Sequence, residues 1–291
     1  MLAKARKVVK DNNNYSISFL QRTLEIGYNR ASTLMKTIQK EKKYNNSLLA
    51  LACGDSYGSH YEYEGLCGCK FKISSLPSKP CYQNITDDTK MATILYHHYK
   101  KYNSLKVDIL NKEYQSWAKR DGDKDGIGVH TKDVLVYSKS DKDSQGNGAL
   151  MRNIPFGIAL IEDAYSFEEA VELMNIDSAI THKNEVIFLA NRLALDLAVN
   201  GLTILKKDIY KTILDKLIFG QTAWVLHTLY IVIEALKSKR KFLTGFQYIT
   251  SMGGDTDTNC AIYGAILGYT KNIHEELDVH EFINLDNLEK E

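Results

Sequence analysis

The sequence predicts an all-α protein in which a compact many-helix domain follows a small helix-turn-helix segment. Apolar residues recur at spacings of three and four along most of the chain, as at Val186, Leu189, Leu193 and Leu197, which is typical of amphipathic helices. No stretch alternates apolar and polar residues around a hairpin turn. With 291 residues, 44% of them hydrophobic, the chain is long and apolar enough to form a core.

The predicted helices follow one another from residue 16 onward. Residues 16–39 predict a helix, a turn at Ile26-Gly27-Tyr28 and a second helix, with Gly27 at the turn. The helices predicted after this segment cover 45–58, 88–102, 106–119, 148–161, 166–174, 183–200, 205–218, 221–237, 242–251 and 257–270. The long, weakly patterned stretches between them, 63–86 and 120–147, are expected to be functional loops.

Charge divides the chain unevenly. The net charge is +1, yet residues 1–43 hold ten Lys or Arg and three Asp or Glu, so they carry +7 and residues 44–291 carry −6. We therefore expect two domains with a boundary after residue 43. A basic segment on a mildly acidic body indicates a polyanion as a partner of the first domain.

Cysteine use and hydropathy indicate an intracellular protein without membrane spans. The five cysteines have an odd count and irregular spacing, which does not suit a disulfide framework, and reduced thiols are usual inside cells. No apolar run reaches the length of a membrane span, and the basic N-terminus lacks the apolar core of a secretory signal. We expect a cytoplasmic protein, associated with a nucleus or nucleoid if the first domain binds DNA.

Oxygen-bearing side chains gather where the last long helix is predicted to begin. Residues 251–268 read SMGGDTDTNCAIYGAILG and supply Asp255, Asp257 and Thr258. Such a cluster, with no nearby His or Cys, suits a hard cation such as Mg²⁺, Mn²⁺ or Ca²⁺ better than zinc. An acidic helix cap is the alternative, because Asp and Thr are also favoured at helix starts.

A second cluster of the same composition opens the helix predicted over 88–102. Residues 84–92 read NITDDTKMA and supply Thr86, Asp87 and Asp88. Two such clusters, distant in sequence, can fold together around one or two metal ions, and a two-metal site can hold substrate oxygens and activate a water. Two independent helix caps are the alternative, which the shared composition disfavours.

Six motifs in a single order resemble those of the ADP-ribosylglycohydrolase family. They are GDSYGSHYE (54–62), TDDTKMA (86–92), GIGVHT (126–131), SQGNGALMRNIPFGI (144–158), THKNEVI (181–187) and GGDTDTNCAIYGAILG (253–268). The resemblance implies an all-α hydrolase that cleaves the glycosidic bond of an ADP-ribosylated protein, or of a related ADP-ribosyl small molecule, and releases ADP-ribose.

The resemblance also implies the metal ligands. Two Mg²⁺ ions, with Mn²⁺ as a substitute, are expected at the centre of the helical body. Two divalent cations against four carboxylates give a nearly neutral site, which permits its burial. The six implied oxygen donors are Thr86, Asp87, Asp88, Asp255, Asp257 and Thr258.

Catalytic and substrate-binding roles follow from the same resemblance. Glu62 is assigned to gating and proton transfer, with Asp88 as the second acid–base candidate. His182 is expected to bind substrate near the distal ribose or phosphate. The glycine-rich segment offers backbone amides to the pyrophosphate ahead of a helix N-terminus, and its candidate residues are Ser144, Gly146, Asn147 and Gly148. The acceptor, whether arginine, serine, an acetyl group or a nucleic acid, stays open.

The first domain resembles the DNA-binding gamma domain of FtsK-type DNA translocases, through the residues SFLQRTLEIGYNRA (18–31). In that family the second helix enters the major groove, so the resemblance implies that Asn29 and Arg30 contact base edges. The β-wing of the family has no counterpart here, and a helical pair that packs on the hydrolase or mediates oligomerisation is the alternative. For the whole chain, the alternatives to an enzyme are a catalytically weak ADP-ribose-binding module and a DNA-associated regulator.

Overall fold

The computed structural model describes residues 1–41, 43–62, 72–139 and 143–289. Regular secondary structure in these residues is helical, apart from one isolated antiparallel bridge between Gly146 and Trp224. The predicted all-α class is therefore confirmed. The chain divides into two compact units, Met1–Asn45 and Asn46–Glu291.

The first unit consists of three helices, α1 (Leu2–Asn12), α2 (Ile17–Leu24) and α3 (Tyr28–Glu41). The Ser16 side chain begins α2 by accepting a hydrogen bond from the Phe19 amide, and Glu25, in the left-handed region with φ 53°, ends it. The helix-turn-helix outline is confirmed, whereas α1 was not predicted. Its sequence is largely polar, and its few apolar residues become a core face only against the other helices. The shared core contains Ala5, Val9, Leu20, Met35 and Ile38.

The second unit contains the remaining helices. Most of the long helices predicted from the sequence are present, with ends that differ by a few residues, because their apolar stripes face one common core. The helices are α4 (Asn46–Gly58), α5 (Asp87–Tyr102), α6 (Val107–Arg120), α7 (Val129–Tyr137), α8 (Leu150–Glu162), α9 (Phe167–Ser178), α10 (Glu185–Asn200), α11 (Lys211–Leu214), α12 (Val225–Lys237), α13 (Phe242–Met252), α14 (Thr256–Thr270) and α15 (Val279–Phe282).

Helices α4 and α14 pack closely and in opposite directions at the centre of this unit. Glycines permit the contact. A Cβ on Gly54 would lie 2.2 Å from the Cys260 carbonyl oxygen, and a Cβ on Gly264 would lie 2.2 Å from the Ala50 carbonyl oxygen. Nearly every residue of α4 is buried. The packing places the last turn of α4 beside the first turn of α14, where both helices carry motif residues.

The prediction of a continuous helix over 205–218 is wrong. The structure has 3₁₀ turns there, followed by the short α11. Lys207 is extended, with ψ 132°, and its Nζ donates to Asp196 Oδ2 at 2.8 Å. The Tyr210 hydroxyl donates to the same oxygen at 2.7 Å. These contacts with α10 hold the segment on a path that a continuous helix cannot follow.

Helix α7 lies within 120–147, a stretch expected to be a loop. Only Thr131 and Leu135 of this helix are buried, so it lacks the regular apolar stripe on which a helix prediction depends. Residues 140–142 of this stretch, and 63–71 of the other predicted loop, lie outside the described residues.

One helical stretch has the length and composition of a membrane span. The stretch Glu185–Lys206, which includes α10, has a mean hydropathy of 1.4 over 18 residues. The sequence prediction that no apolar run reaches this length overlooked it. A single stretch of this kind is weak evidence for a membrane span, because buried core helices pass the same test, and 56% of this one is buried within the fold.

Candidate active site

The two acidic motifs lie at helix N-termini that meet in the second unit. Thr86 immediately precedes α5, and Asp255 immediately precedes α14. Asp88 Oδ2 accepts a hydrogen bond from Thr258 Oγ1 at 3.2 Å and lies 3.2 Å from Thr86 Oγ1. Side chains from motifs that are distant in sequence therefore form one buried cluster.

Asp55, in the last turn of α4, belongs to the same cluster. Its Oδ1 accepts from Thr86 Oγ1 at 2.8 Å, and its Oδ2 accepts from the Thr86 amide at 2.9 Å and the Thr89 amide at 3.2 Å. Asp55 thus fixes the start of α5. Burial raises its pKa to about 6, although the hydrogen bonds from Thr89 and Thr86 act in the opposite direction. Sequence reasoning quoted this residue within a motif but assigned it no role.

Five carboxylates form two groups that share Asp257. Single oxygens of Asp55, Asp88 and Asp257 lie within 4.8 Å of one another, as do single oxygens of Glu62, Asp255 and Asp257. Burial, followed by repulsion from neighbouring carboxylates, raises the pKa of Asp88 and of Asp257 well above the usual range. Asp88 Oδ1 is buried and has no hydrogen-bond partner among the described residues. Because an unpaired buried charge is costly, these oxygens fit a hard divalent cation.

Asp87 belongs to neither of these two groups, although it lines the neighbouring cavity. Its Oδ2 accepts from the Gly128 amide at 3.2 Å, and its own amide donates to the Asp125 carbonyl at 2.7 Å. Burial raises the pKa of Asp87 well above the usual range. Among the six predicted oxygen donors, Asp87 is the one bonded to the loop before α7.

A cavity of about 180 Å³ opens beside the carboxylates. Ten of the predicted site residues line it, namely Glu62, Thr86, Asp87, Gly146, Asn147, Gly148, His182, Asp255, Asp257 and Thr258. Asp88 is buried in the cluster, and Ser144 is not among the lining residues. The cavity is also lined by residues to which the sequence analysis assigned no role, among them His130 and Thr131 of α7 and Ala223 before α12.

Comparison with known proteins decides the family. The family model for ADP-ribosylglycohydrolase matches residues 36–273. The chain belongs to the ADP-ribosylglycohydrolase family. A solved structure described as "ADP-ribosylglycohydrolase-related protein complex" has a TM-score of 0.62 and 19% sequence identity to this chain, covering 84% of it and 93% of the solved chain. At this identity the likeness shows the fold. The family model for the Ftsk gamma domain matches residues 1–43, so both resemblances are confirmed. No curated protein matches the chain.

In this ADP-ribosylglycohydrolase fold, the glycine-rich segment is held by residues 221–224, which were predicted to be helical. The Asn147 amide donates to the Ala223 carbonyl, and the Val225 amide donates to the Gln145 carbonyl, both at 2.9 Å. The prediction was wrong here because these bonds to a neighbouring segment replace helical ones. Helix α12 consequently begins only at Val225.

The Asn147 side chain serves the acidic cluster. Its Nδ2 donates to Asp255 Oδ2 at 2.7 Å and to Thr228 Oγ1 at 2.9 Å. The sequence assigned Asn147 to substrate binding. In the structure both amide protons of this side chain are used to orient a carboxylate and a core hydroxyl, and its role in substrate binding stays a prediction.

His182 packs against the glycines of this segment. A Cβ on Gly148 would lie 3.0 Å from His182 Cε1 and 3.1 Å from Thr131 Oγ1, so a larger residue at this position would displace its neighbours. His182 Nδ1 is 2.9 Å from Thr181 Oγ1. Burial, then the nearby Arg152 charge, lowers the pKa of His182 well below its usual value. The imidazole is therefore neutral at neutral pH.

Glu62 follows the 3₁₀ turn Ser59–Tyr61 and lines the cavity. The residue as a whole is exposed, yet its carboxyl is partly desolvated against the acidic cluster. This desolvation, followed by the charges of Asp255 and Asp55, raises its pKa to about 7, while a hydrogen bond with Asp257 acts in the opposite direction. A carboxyl that titrates near neutral pH can both hold and accept a proton.

The predicted DNA-contacting residues lie in the first unit. Asn29 and Arg30 are exposed in the first turn of α3, and Thr33 and Lys36 are exposed further along the same helix. In the described part of this unit no strand forms a β-wing. The helix that would enter a groove is therefore present, with polar side chains directed to solvent.

Proposed function

We propose that the protein is a Mg²⁺-dependent glycosidase that cleaves the bond between the distal ribose of ADP-ribose and its acceptor in an ADP-ribosylated protein or a related small molecule. The observation that carries this proposal is the meeting of both acidic motifs, with Asp55 and Glu62, at one wall of a single cavity. The glycine-rich segment forms another part of the same wall. Acidic groups for cations beside a glycine-rich segment for phosphates, in one cavity, match the chemistry of an ADP-ribosyl group.

The reaction requires a water to reach the anomeric carbon while the acceptor leaves with a proton. Glu62 suits this proton transfer because its pKa of about 7 is near the working pH. Asp88 suits it less, since it is buried and its Oδ2 accepts from the Thr258 hydroxyl. We therefore assign Glu62 to proton transfer and Asp88 to cation binding.

The acidic cluster supplies enough oxygen donors for two Mg²⁺ ions, with Mn²⁺ as a substitute. Such ions, when bound, orient ribose hydroxyls and lower the pKa of a bound water. The residues that would hold them are Asp55, Thr86, Asp87, Asp88, Asp255, Asp257 and Thr258. Asn147 orients Asp255 for this role through its 2.7 Å hydrogen bond.

The glycine-rich segment provides space and backbone groups for the pyrophosphate. Gly146 and Gly148 present no side chain to the cavity, and His182 lies against both. Helix α8 begins directly after the segment, and a helix N-terminus favours anions. Ser144 precedes this part and lies outside the cavity lining, so its predicted contact with substrate stays a prediction.

A panel of defined ADP-ribosyl substrates, with arginine, serine, acetyl and nucleic-acid acceptors, tests the proposal. We expect the release of ADP-ribose from at least one of them with Mg²⁺ and none with EDTA. Asp257→Asn should be inactive, whereas Asp215→Asn, on an exposed surface, should retain activity. Binding of ADP-ribose without release would instead identify a binding module, and full turnover in EDTA would contradict the metal dependence.

For the first unit we infer a second function, which is DNA binding. The Ftsk gamma match over residues 1–43 and the exposure of Asn29 and Arg30 support it. An intracellular location, with nuclear or nucleoid association, is part of this proposal and is compatible with the free thiols of Cys53 and Cys260. Retardation of duplex DNA by the full-length protein at low salt tests it.

A further inference from the structure

Arg152 is a fully buried cation in α8 that the proposed chemistry leaves without a role. Its Nε donates to Asp177 Oδ2 at 3.0 Å, and its Nη2 donates to the Asp177 carbonyl at 3.0 Å. Its Nη1 donates to the Gly148 carbonyl at 2.8 Å and to Thr181 Oγ1 at 2.9 Å. Arg152 therefore connects the glycine-rich segment with the residue that precedes His182.

The hydrogen bonds of the Thr181 hydroxyl determine the tautomer of His182. An arginine can only donate, so Thr181 Oγ1 accepts from Arg152 Nη1. The hydroxyl proton is then free to be donated to His182 Nδ1, which lies 2.9 Å away. If Nδ1 carried a proton instead, Thr181 Oγ1 would accept from both Arg152 and His182, and its own proton would have no acceptor among the hydrogen bonds of the described residues. A neutral imidazole whose Nδ1 accepts carries its proton on Nε2.

A second histidine, His130, forms a hydrogen bond with the backbone carbonyl of Thr181. His130 Nε2 lies 2.9 Å from the Thr181 carbonyl oxygen, and a carbonyl can only accept, so His130 donates. The rings of His130 and His182 meet edge to face, with their centroids 4.6 Å apart. Thr181 is thus held through both its carbonyl and its hydroxyl, which leaves His182 little freedom to rotate.

We propose that Arg152, acting through the Thr181 hydroxyl, is a positioning residue that holds His182 in the tautomer protonated on Nε2. The cavity then presents a neutral N–H donor to an oxygen of the ADP-ribosyl group, a step that rests on the proposed function. His182 Nε2 lies 3.3 Å from the Cβ position that Gly146 leaves empty. Because Gly146 and His182 both line the cavity, the donor lies where a ligand oxygen can reach it.

Nitrogen-15 NMR of the full-length protein with labelled histidine tests the tautomer, because a protonated and an unprotonated ring nitrogen differ in chemical shift. The His182 signals are assigned by their loss in His182→Gln. We expect a protonated Nε2 in the native protein and in Thr181→Ser, which keeps the hydroxyl. Thr181→Val removes the hydroxyl at nearly constant size and should populate the tautomer protonated on Nδ1. A protonated Nδ1 in the native protein, or an unchanged tautomer in Thr181→Val, overturns the proposal.

Calorimetry with ADP-ribose in Mg²⁺ tests the contact with substrate separately. Loss of one oriented hydrogen bond should weaken binding by Thr181→Val about 5- to 10-fold, and Thr181→Ser should restore most of the affinity. Equal affinities in Thr181→Val and the native protein would overturn the contact. Failure of the native protein to bind ADP-ribose would instead overturn the proposed function, since the NMR measurement requires no ligand.

Discussion

At the level of single residues, Glu62 differs from the aspartates of the site because it is exposed and has a pKa of about 7. Glu62→Gln keeps the size of the side chain and removes its capacity to carry a proton. We expect kcat to fall by about 10²–10⁴-fold, the usual contribution of a positioned acid–base group, with little change in the affinity for ADP-ribose. Steady-state kinetics and calorimetry measure the two quantities. Glu172→Gln, on the exposed face of α9, is the control. Lost affinity at an unchanged kcat would make Glu62 a binding residue.

Asp55 and Glu62 also predict how stability depends on pH without metal. Their folded pKa values rise from 3.8 to about 6 and from 4.5 to about 7. The folded state therefore binds protons more tightly than the unfolded state, so stability falls as pH rises from about 4 to about 7. Bound Mg²⁺ requires deprotonated carboxylates, so its stabilising effect should grow over the same range.

Thermal melts at about pH 5 and about pH 7.5, each with EDTA and with Mg²⁺, measure both parts of this prediction. The metal-free melting temperature should be lower at the higher pH, and the increase caused by Mg²⁺ should be larger there. An increase of the same size at both pH values would show that these carboxyls do not titrate with cation binding.

The sequence indicates residues of this site only where several of them lie within a few positions of one another. Both acidic motifs could be found because their donors occur within a few positions at a helix start. Asp55 could not be distinguished in the same way, since it is a single carboxylate on one helix and its partners Thr86 and Thr89 lie at the start of another. Asn147 donates to Asp255 across 108 positions, a pairing that no local pattern contains.

At the level of secondary structure elements, a helix was predicted accurately where it carries a regular apolar stripe. Helices such as α10 and α14, with their apolar residues directed into the core, were predicted closely. Helix α7 was not, because it buries only Thr131 and Leu135. The segments 205–218 and 221–224 have helical composition, yet tertiary hydrogen bonds to α10 and to the glycine-rich segment determine their conformation. Propensity is a weak guide where such contacts compete with it.

The close contact of α4 with α14 predicts that the stability of the fold depends sharply on the glycines between these helices. A Cβ introduced by Gly54→Ala would lie 2.2 Å from the Cys260 carbonyl oxygen, and backbone cannot move aside as a flexible side chain can. Overpacking of a core typically costs about 1–3 kcal/mol and occasionally more, and here it would also displace the adjacent Asp55. We expect lower stability in urea denaturation and weaker Mg²⁺ binding. Gly27→Ala, in the first unit, is the control, since nothing lies within 4 Å of its Cβ position. Equal effects of both variants would contradict the packing argument.

At the level of the whole molecule, the cluster predicts that a divalent cation contributes to the stability of the second unit. Asp257 belongs to both carboxylate groups, so Asp257→Ala removes a donor from each. Mg²⁺ or Mn²⁺ should raise the melting temperature of the native protein, because a ligand that binds only the folded state stabilises it by mass action. The increase should be absent in Asp257→Ala and present in Asp215→Ala, which alters an exposed residue. Identical melting with Mg²⁺ and with EDTA would exclude a contribution from the cation.

The division into two units predicts two separable activities. Residues 44–291 contain every hydrolase motif, so a chain limited to them should keep the catalytic rate of the full-length protein. DNA binding should require residues 1–43, which carry +7. Because phosphate contacts release counterions, the affinity should fall steeply as salt rises, with a logarithmic slope of about −0.9 per contact.

Arg30 provides the sharpest test of this division. Arg30→Ala should weaken the retardation of duplex DNA and, if the guanidinium contacts a base edge, relax the sequence preference. Lys216→Ala, an equal change of charge at an exposed position of the second unit, should leave DNA binding unchanged. If the full-length protein retards no duplex DNA at low salt, α2 and α3 serve packing or oligomerisation instead. Three helices with a shared core and a basic surface can fold as this unit does without ever entering a groove. The difference in DNA retardation between the native protein and Arg30→Ala therefore decides between the two roles.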